Sequence, residues 1–171
     1  MLFAGAITRQ VGLGYTLEML SITGEHATLI VHTSEQAQEK LRESVQSGVR
    51  LVVGGWLERD ALLDAYRSAD VLLSVGERGG RQLSSKIFEY MSVGKPILHV
   101  CTGSSDANIP YLKRYPLSLC IVQDECSIEE NARLVALFMA WSKGRRVIFD
   151  ETVAQLSDCT PAAVCEKLQS R

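Results

Sequence analysis

The stretch Leu83-Ser-Ser-Lys86-Ile-Phe-Glu89-Tyr-Met-Ser-Val-Gly94-Lys95-Pro96 decides the fold. Its polar start, apolar middle and glycine stop predict a loop, a short helix and then an apolar strand over 96–101. Gly94 is a good residue to terminate the helix in a left-handed turn. Lys86 and Glu89 stand three apart, so they share one helical face. A helix N-terminus with a lysine in its first turn is a natural phosphate site. A carboxylate one turn later can accept two hydrogen bonds from a ribose. The pair therefore predicts a nucleoside-diphosphate binder, with both side chains aimed into one crevice. Ser84 and Ser85 precede the helix and are expected to cap it. A capping box would need an acid at 87 or 88, where Ile87 and Phe88 stand, so Glu89 has no capping role. The competing explanation is a surface ion pair contributing about 0.2–0.5 kcal/mol.

Outward from this segment the chain alternates between two hydrophobic periods. Continuous apolar runs at 2–6, 27–32, 49–53, 70–75, 96–101 and 117–123 read as buried strands. Between them, helical patterns fall at 15–21, 35–46, 59–69, 109–114 and 127–143. In 35–46, Ala37, Leu41 and Val45 form one stripe, and in 127–143 Ile128, Ala132, Val135 and Met139 do the same. Two further helical segments follow, at 150–156 and 161–169, with Thr160 as N-cap and Pro161 at the first helical position. Unbroken apolar strands alternating with helices imply a parallel sheet covered on both faces. The expected fold is a doubly wound, Rossmann-like α/β domain of about six strands over 1–148, with a helical C-terminal tail over 149–171 packing on it. Ligands of such sheets bind beyond the carboxyl ends of the strands. The loops meeting there carry Arg9, Trp56, residues 77–85 and residues 102–108.

Composition narrows the function classes. The net charge of −2 gives no basic surface for nucleic acid. No apolar run reaches the ~18 residues of a membrane span, and the opening Met1-Leu-Phe-Ala-Gly shows no signal-peptide pattern. A cytoplasmic protein is expected. The five cysteines, Cys101, Cys120, Cys126, Cys159 and Cys165, form no Cys-x-x-Cys pair and read as reduced, buried thiols. His26, His32 and His99 have no metal-ligand spacing, and no Asp-x-Asp triplet occurs. No Gly-x-Gly-x-x-Gly follows the first strand, which disfavours a dinucleotide site.

The run Asp70-Val-Leu-Leu-Ser-Val75, a loop, then Leu83 through Pro96-Ile97 resembles the donor-binding half of GT-B glycosyltransferases, closest to bacterial enzymes of the retaining family-4 type. Gly54 and Gly55 with the helix over 60–69, and Gly5 with Arg9, resemble flanking parts of that half. The resemblance covers about residues 2–140 and is most specific over 69–98. It implies that Lys86 contacts the donor diphosphate and that Glu89 binds the ribose hydroxyls. Ser84 and Ser85 would offer hydroxyls and N–H groups to phosphate oxygens, Arg9 a second positive charge, and Trp56 a flank for the base. The donor would be an NDP-sugar, UDP- or GDP-linked, with no metal or other cofactor needed at the diphosphate. Family-4 members often carry an acid eight residues before the ribose-binding glutamate; here Arg81 holds that place, and Glu77 is the nearest upstream acid. Glu77 is thus the one catalytic candidate. The resemblance also implies an acceptor-binding half elsewhere, upstream or on a separate chain, through which membrane association would run. Two alternatives stand beside this reading: a non-catalytic interaction module, and a GT-B-type epimerase or phosphorylase fragment.

Overall fold

A computed structural model describes residues 1–8, 11–23, 27–43 and 49–159. Six strands form one all-parallel sheet: β1 (Leu2–Ala4), β2 (Thr28–His32), β3 (Arg50–Gly54), β4 (Leu72–Val75), β5 (Ile97–Cys101) and β6 (Ser118–Val122). Their order is β3-β2-β1-β4-β5-β6. Among the described residues, seven helices connect and flank them: α1 (Gly14–Ile22), α2 (Glu35–Glu43), α3 (Arg59–Ser68), α4 (Ser85–Val93), α5 (Ile109–Leu112), α6 (Ile128–Ser142) and α7 (Phe149–Gln155). This is the expected doubly wound α/β architecture. The end of the helix expected over 35–46, with Val45, lies outside the described residues, as does the segment at 161–169 with its cap.

The strand residues divide between two cores because alternate side chains leave opposite faces of the sheet. Phe3, Leu29, Val31, Leu73 and Leu98 pack on one face against Leu17 and Leu20 of α1, Leu41 of α2 and Val135 of α6. Leu2, Ala4, Leu72 and Ile97 pack on the other against Tyr66 of α3, Ile87, Tyr90 and Met91 of α4, and Leu112 of α5. Burying each of the leucine, isoleucine, valine, methionine and phenylalanine side chains among them contributes about 1.5–3 kcal/mol. The α3–α4 contact is built on Tyr66 and Tyr90, whose rings meet edge to face at 5.0 Å.

Helix ends follow local chemistry. In α6, Ser127 Oγ accepts from the Glu130 N–H and Glu130 accepts from the Ser127 N–H, a complete capping box. Gly94 ends α4 with φ +75°. A Cβ there would lie 2.2 Å from the Val147 carbonyl oxygen, so only glycine fits. The same carbonyl belongs to a residue whose N–H donates to Gly94 O at 3.0 Å, and this contact leads the chain into α7. α7 lies against α4, where Thr152 Oγ1 donates to Met91 O. Among the described residues no helix is long and apolar enough to cross a membrane.

Candidate functional site

The sheet order reverses direction between β1 and β4, so the chain leaves their carboxyl ends on diverging paths and a crevice opens there. It measures about 350 Å³. Gly5 and Ala6 after β1 form one wall; Ser74, Val75 and Glu77 at the end of β4 form the floor and rim; Ser84, Ser85 and Lys86 of the α4 entrance form the other wall.

α4 aims its N-terminus at this crevice for two reasons. Ile87, Tyr90 and Met91 are buried on the sheet, which fixes the helix's rotation. Asn108, itself 1% exposed, holds the entrance: its Oδ1 accepts from the Ser84 N–H at 2.8 Å, and its Nδ2 donates to Gln82 O at 3.4 Å. Ser84 is the N-cap by position, but its hydroxyl makes no capping bond. The expected serine cap is thus replaced by Asn108, which reaches across from the loop after β5. Ser85 is already in the helix. The first-turn N–H groups of Ser85 and Lys86 have no acceptor among the described residues, and they carry the positive end of the helix dipole.

Lys86 is half-buried, and its ammonium lies over the end of β1. A methyl group on Gly5 would stand only 3.1 Å from Nζ. No carboxylate among the described residues comes within ion-pair distance of it. Burial lowers the lysine's pKa below its ordinary value, and the charge of Glu89 partly offsets that. A half-desolvated cation without a partner is costly in an empty site and is relieved by an anion.

Glu89 does not join Lys86 in the crevice. It is exposed and lines a second hollow with Leu57, Arg59, Leu62, Leu63 and Tyr66. Helical geometry explains the split. The buried face of α4 centres on Ile87; Lys86 sits at the edge of that face, and Glu89 lies roughly 60° further round toward solvent. The two hollows flank the first turns of α4. Trp56 is 60% exposed on the loop after β3 and lines neither hollow. Glu77 lines the crevice; Arg81 is exposed. Arg9 lies outside the described residues.

A polar network behind the crevice escaped the sequence reading. His99 and Ser74 are neighbours in the β4–β5 register, and His99 Nδ1 lies 3.0 Å from Ser74 Oγ. His99 Nε2 faces Asp106 Oδ1 at 3.3 Å. Asp106 Oδ1 accepts from the Asn108 N–H at 2.8 Å and from Asn108 Nδ2 at 2.7 Å. The network therefore runs from the sheet to the α4 entrance. Gly80, at φ +64°, lies against it: a Cβ there would meet the Asp106 backbone at 3.0 Å. The available signal was the polar residue His99 inside the otherwise apolar strand Ile97-Leu-His-Val-Cys101, with Asp106 and Asn108 just beyond.

No protein-family model matches the sequence, and no curated protein matches it. Solved structures do match. AviGT4, a glycosyltransferase involved in avilamycin A biosynthesis, superposes with a TM-score of 0.61 at 12% identity, covering 99% of this chain and 50% of its own. A chain from the structure explaining EarP-mediated arginine glycosylation of translation elongation factor EF-P superposes with a TM-score of 0.57 at 13% identity, covering 99% of this chain and 60% of its own. What the chain shares with these structures is the fold, a Rossmann-like α/β unit of the kind found in GT-B glycosyltransferases. The chain spans about half the length of these neighbours.

Proposed function

We propose that this chain is the nucleotide-sugar-binding half of a glycosyltransferase. The observation that carries the reading is the half-buried Lys86 ammonium, without an ion-pair partner among the described residues, set over Gly5 at the sheet's switch point beside the open N–H groups of α4. In this reading the donor diphosphate occupies the crevice. Lys86 and the helix dipole neutralise it in the ground state and stabilise the charge that develops on the leaving diphosphate. Ser84 and Ser85 add hydroxyls. The nucleoside passes over the first turn of α4 into the second hollow, where Glu89 accepts from the ribose hydroxyls and Leu57 and Leu62 face the base, with Trp56 nearby on the same loop. Arg9 is proposed as a second phosphate cation on sequence grounds. Glu77, at the crevice rim, is proposed to face the transferred sugar.

The neighbours' greater length supports a complementary half that supplies the acceptor site and closes the cleft. The reading carries with it a UDP- or GDP-sugar donor, no requirement for added Mg²⁺ in nucleotide binding, and a cytoplasmic site of action, with any membrane association running through the complementary half.

Titration calorimetry with UDP, GDP and ADP tests it. At least one should bind, and Lys86→Ala should weaken that binding about tenfold to a hundredfold, the loss of one charge-assisted contact of roughly 1.5–3 kcal/mol. Glu89→Gln should weaken the nucleoside diphosphate but not inorganic pyrophosphate. Absence of heat with all three nucleotides, or equal affinity in Lys86→Ala, would overturn the reading.

A further inference from the structure

We propose that His99, Cys101 and Asp106 form a buried site for one thiophilic divalent metal ion, zinc by its donor set. His99 and Cys101 stand two apart on β5, so their side chains leave the same face of the sheet. Asp106 reaches the same point from the loop that follows. One ligating atom from each lies within 4.8 Å of the other two, and all three residues are buried.

The hydrogen bonds around this cluster leave two of its inward atoms, on His99 and Asp106, without a partner among the described residues, while the Cys101 thiol donates to the Gly103 and Ile121 carbonyls. His99 Nδ1 lies 3.0 Å from Ser74 Oγ; in the tautomer with the proton on Nδ1, which a metal at Nε2 requires, the Nε2 lone pair points inward. Both bonds from Asn108 fall on Asp106 Oδ1, and Oδ2 is left bare. His99 Nε2 and Asp106 Oδ2 are buried and have no hydrogen-bond partner among the described residues, Nε2 standing 3.3 Å from Asp106 Oδ1, and the two residues are 0% and 2% exposed. Buried polar atoms of this kind are rare because each costs roughly 1–3 kcal/mol. In the Nδ1-protonated tautomer both atoms are acceptors, and a cation between them relieves their repulsion. His99 Nε2 lies 3.3 Å from Asp106 Oδ1, the oxygen that Asn108 already holds, so Oδ2 is the carboxylate's ligand atom.

The remaining features are those of a supporting shell. A histidine ligand commonly gives its other ring N–H to an oxygen, and a carboxylate ligand is itself hydrogen-bonded; Ser74 and Asn108 fill those roles. Gly76 makes the room: a Cβ there would stand 2.2 Å from Asp106 Oδ2 and 2.9 Å from Cys101 Cβ. The Cys101 thiol donates to the Gly103 carbonyl oxygen at 3.5 Å, a bond it gives up on ligating the ion. An imidazole, a thiolate and a carboxylate together suit zinc better than magnesium or calcium, which take oxygen ligands. On binding, the Cys101 thiol gives its proton to solvent and the imidazole stays neutral. The ion ties β5 to the loop carrying Asn108. It lies behind the crevice and touches no proposed substrate.

Cobalt(II) is the probe. The full chain, treated with chelator and titrated with Co(II), should develop a thiolate-to-cobalt charge-transfer band and tetrahedral visible bands that saturate at one ion per chain. Cys101→Ser should lose the charge-transfer band. A variant with Cys120, Cys126, Cys159 and Cys165 all changed to serine should keep it. Zinc should raise Tm in the wild-type chain and in the four-serine variant. Zinc X-ray absorption on the wild-type chain should show one sulfur among nitrogen and oxygen ligands; this reading does not depend on any variant folding. No charge-transfer band at stoichiometric cobalt, a band that survives in Cys101→Ser, or a zinc shell without sulfur would each overturn the proposal and leave a buried His99–Asp106 contact in its place.

Discussion

Replacing Asn108 by alanine isolates the contact that aims α4. The side chain makes three hydrogen bonds: Oδ1 from the Ser84 N–H, and Nδ2 to Asp106 Oδ1 and to Gln82 O. The Gln82 contact is long at 3.4 Å and contributes little. The bond to the Asp106 carboxylate is charge-assisted, at 2.7 Å. The Ser84 N–H loses an acceptor that its own hydroxyl does not replace. Adding one neutral and one charged bond gives a destabilisation of roughly 2–4 kcal/mol. For a chain of this size each kcal/mol moves Tm by about 2–4 °C, so the expected drop is roughly 4–16 °C. Thermal unfolding followed by far-UV circular dichroism measures it. Nucleotide titration on the folded variant should also show weaker binding, because Ser84 and Ser85 are no longer held against the crevice. Asn108→Asp keeps the acceptor for Ser84 but sets a carboxylate beside Asp106, and it should unfold at a lower temperature than Asn108→Ala. A Tm within about 1 °C of wild type for Asn108→Ala, against the 2–4 °C expected per kcal/mol, would show that the loop is held by other means and would refute this account of how α4 is positioned.

Gly94→Ala places a side chain in the left-handed region and drives a Cβ to 2.2 Å from the Val147 carbonyl. It should cost at least about 2 kcal/mol, read as a lower urea midpoint with an unchanged slope. Thr33→Val removes a hydroxyl that is fully buried and without a partner among the described residues. It should raise stability by about 1 kcal/mol in the same assay, and a destabilised variant would contradict the assignment of that oxygen as unsatisfied. Burial lowers the Lys86 pKa, with Glu89 opposing, whereas an anion in the crevice would raise it. Nucleoside-diphosphate binding should therefore take up protons just below the usual lysine range and weaken as pH rises through that window; calorimetry in buffers of different ionisation enthalpy reads the uptake. Without ligand the sign is opposite for folding. The folded chain holds fewer protons than the unfolded one in that window, so the penalty from Lys86 is present at neutral pH and is relieved as pH rises toward the ordinary lysine value.

Local chemistry made the elements legible from the residues alone. The strand at 96–101 and its neighbours announce themselves by unbroken apolar runs, and Gly94 marks the end of α4, because periodicity and backbone freedom act over a few residues. Parallel pairing follows from the same runs, since strands buried on both faces need helices on both faces. Lys86 was recognisable because a lysine in the first turn of a helix after a buried strand has a local meaning. The site's construction was decided only by the packed sheet. The strand order brings Gly5 under the Lys86 ammonium and sets Asn108 against Ser84, contacts between residues that no local pattern connects. Packing of Ile87, Tyr90 and Met91 fixed the rotation of α4 and so sent Lys86 and Glu89 to different hollows, although their spacing alone suggested one. His99, Cys101 and Asp106 converge for the same reason: which face of β5 is buried, and which loop folds over it, depends on the neighbouring strands and not on the run of residues that forms the strand.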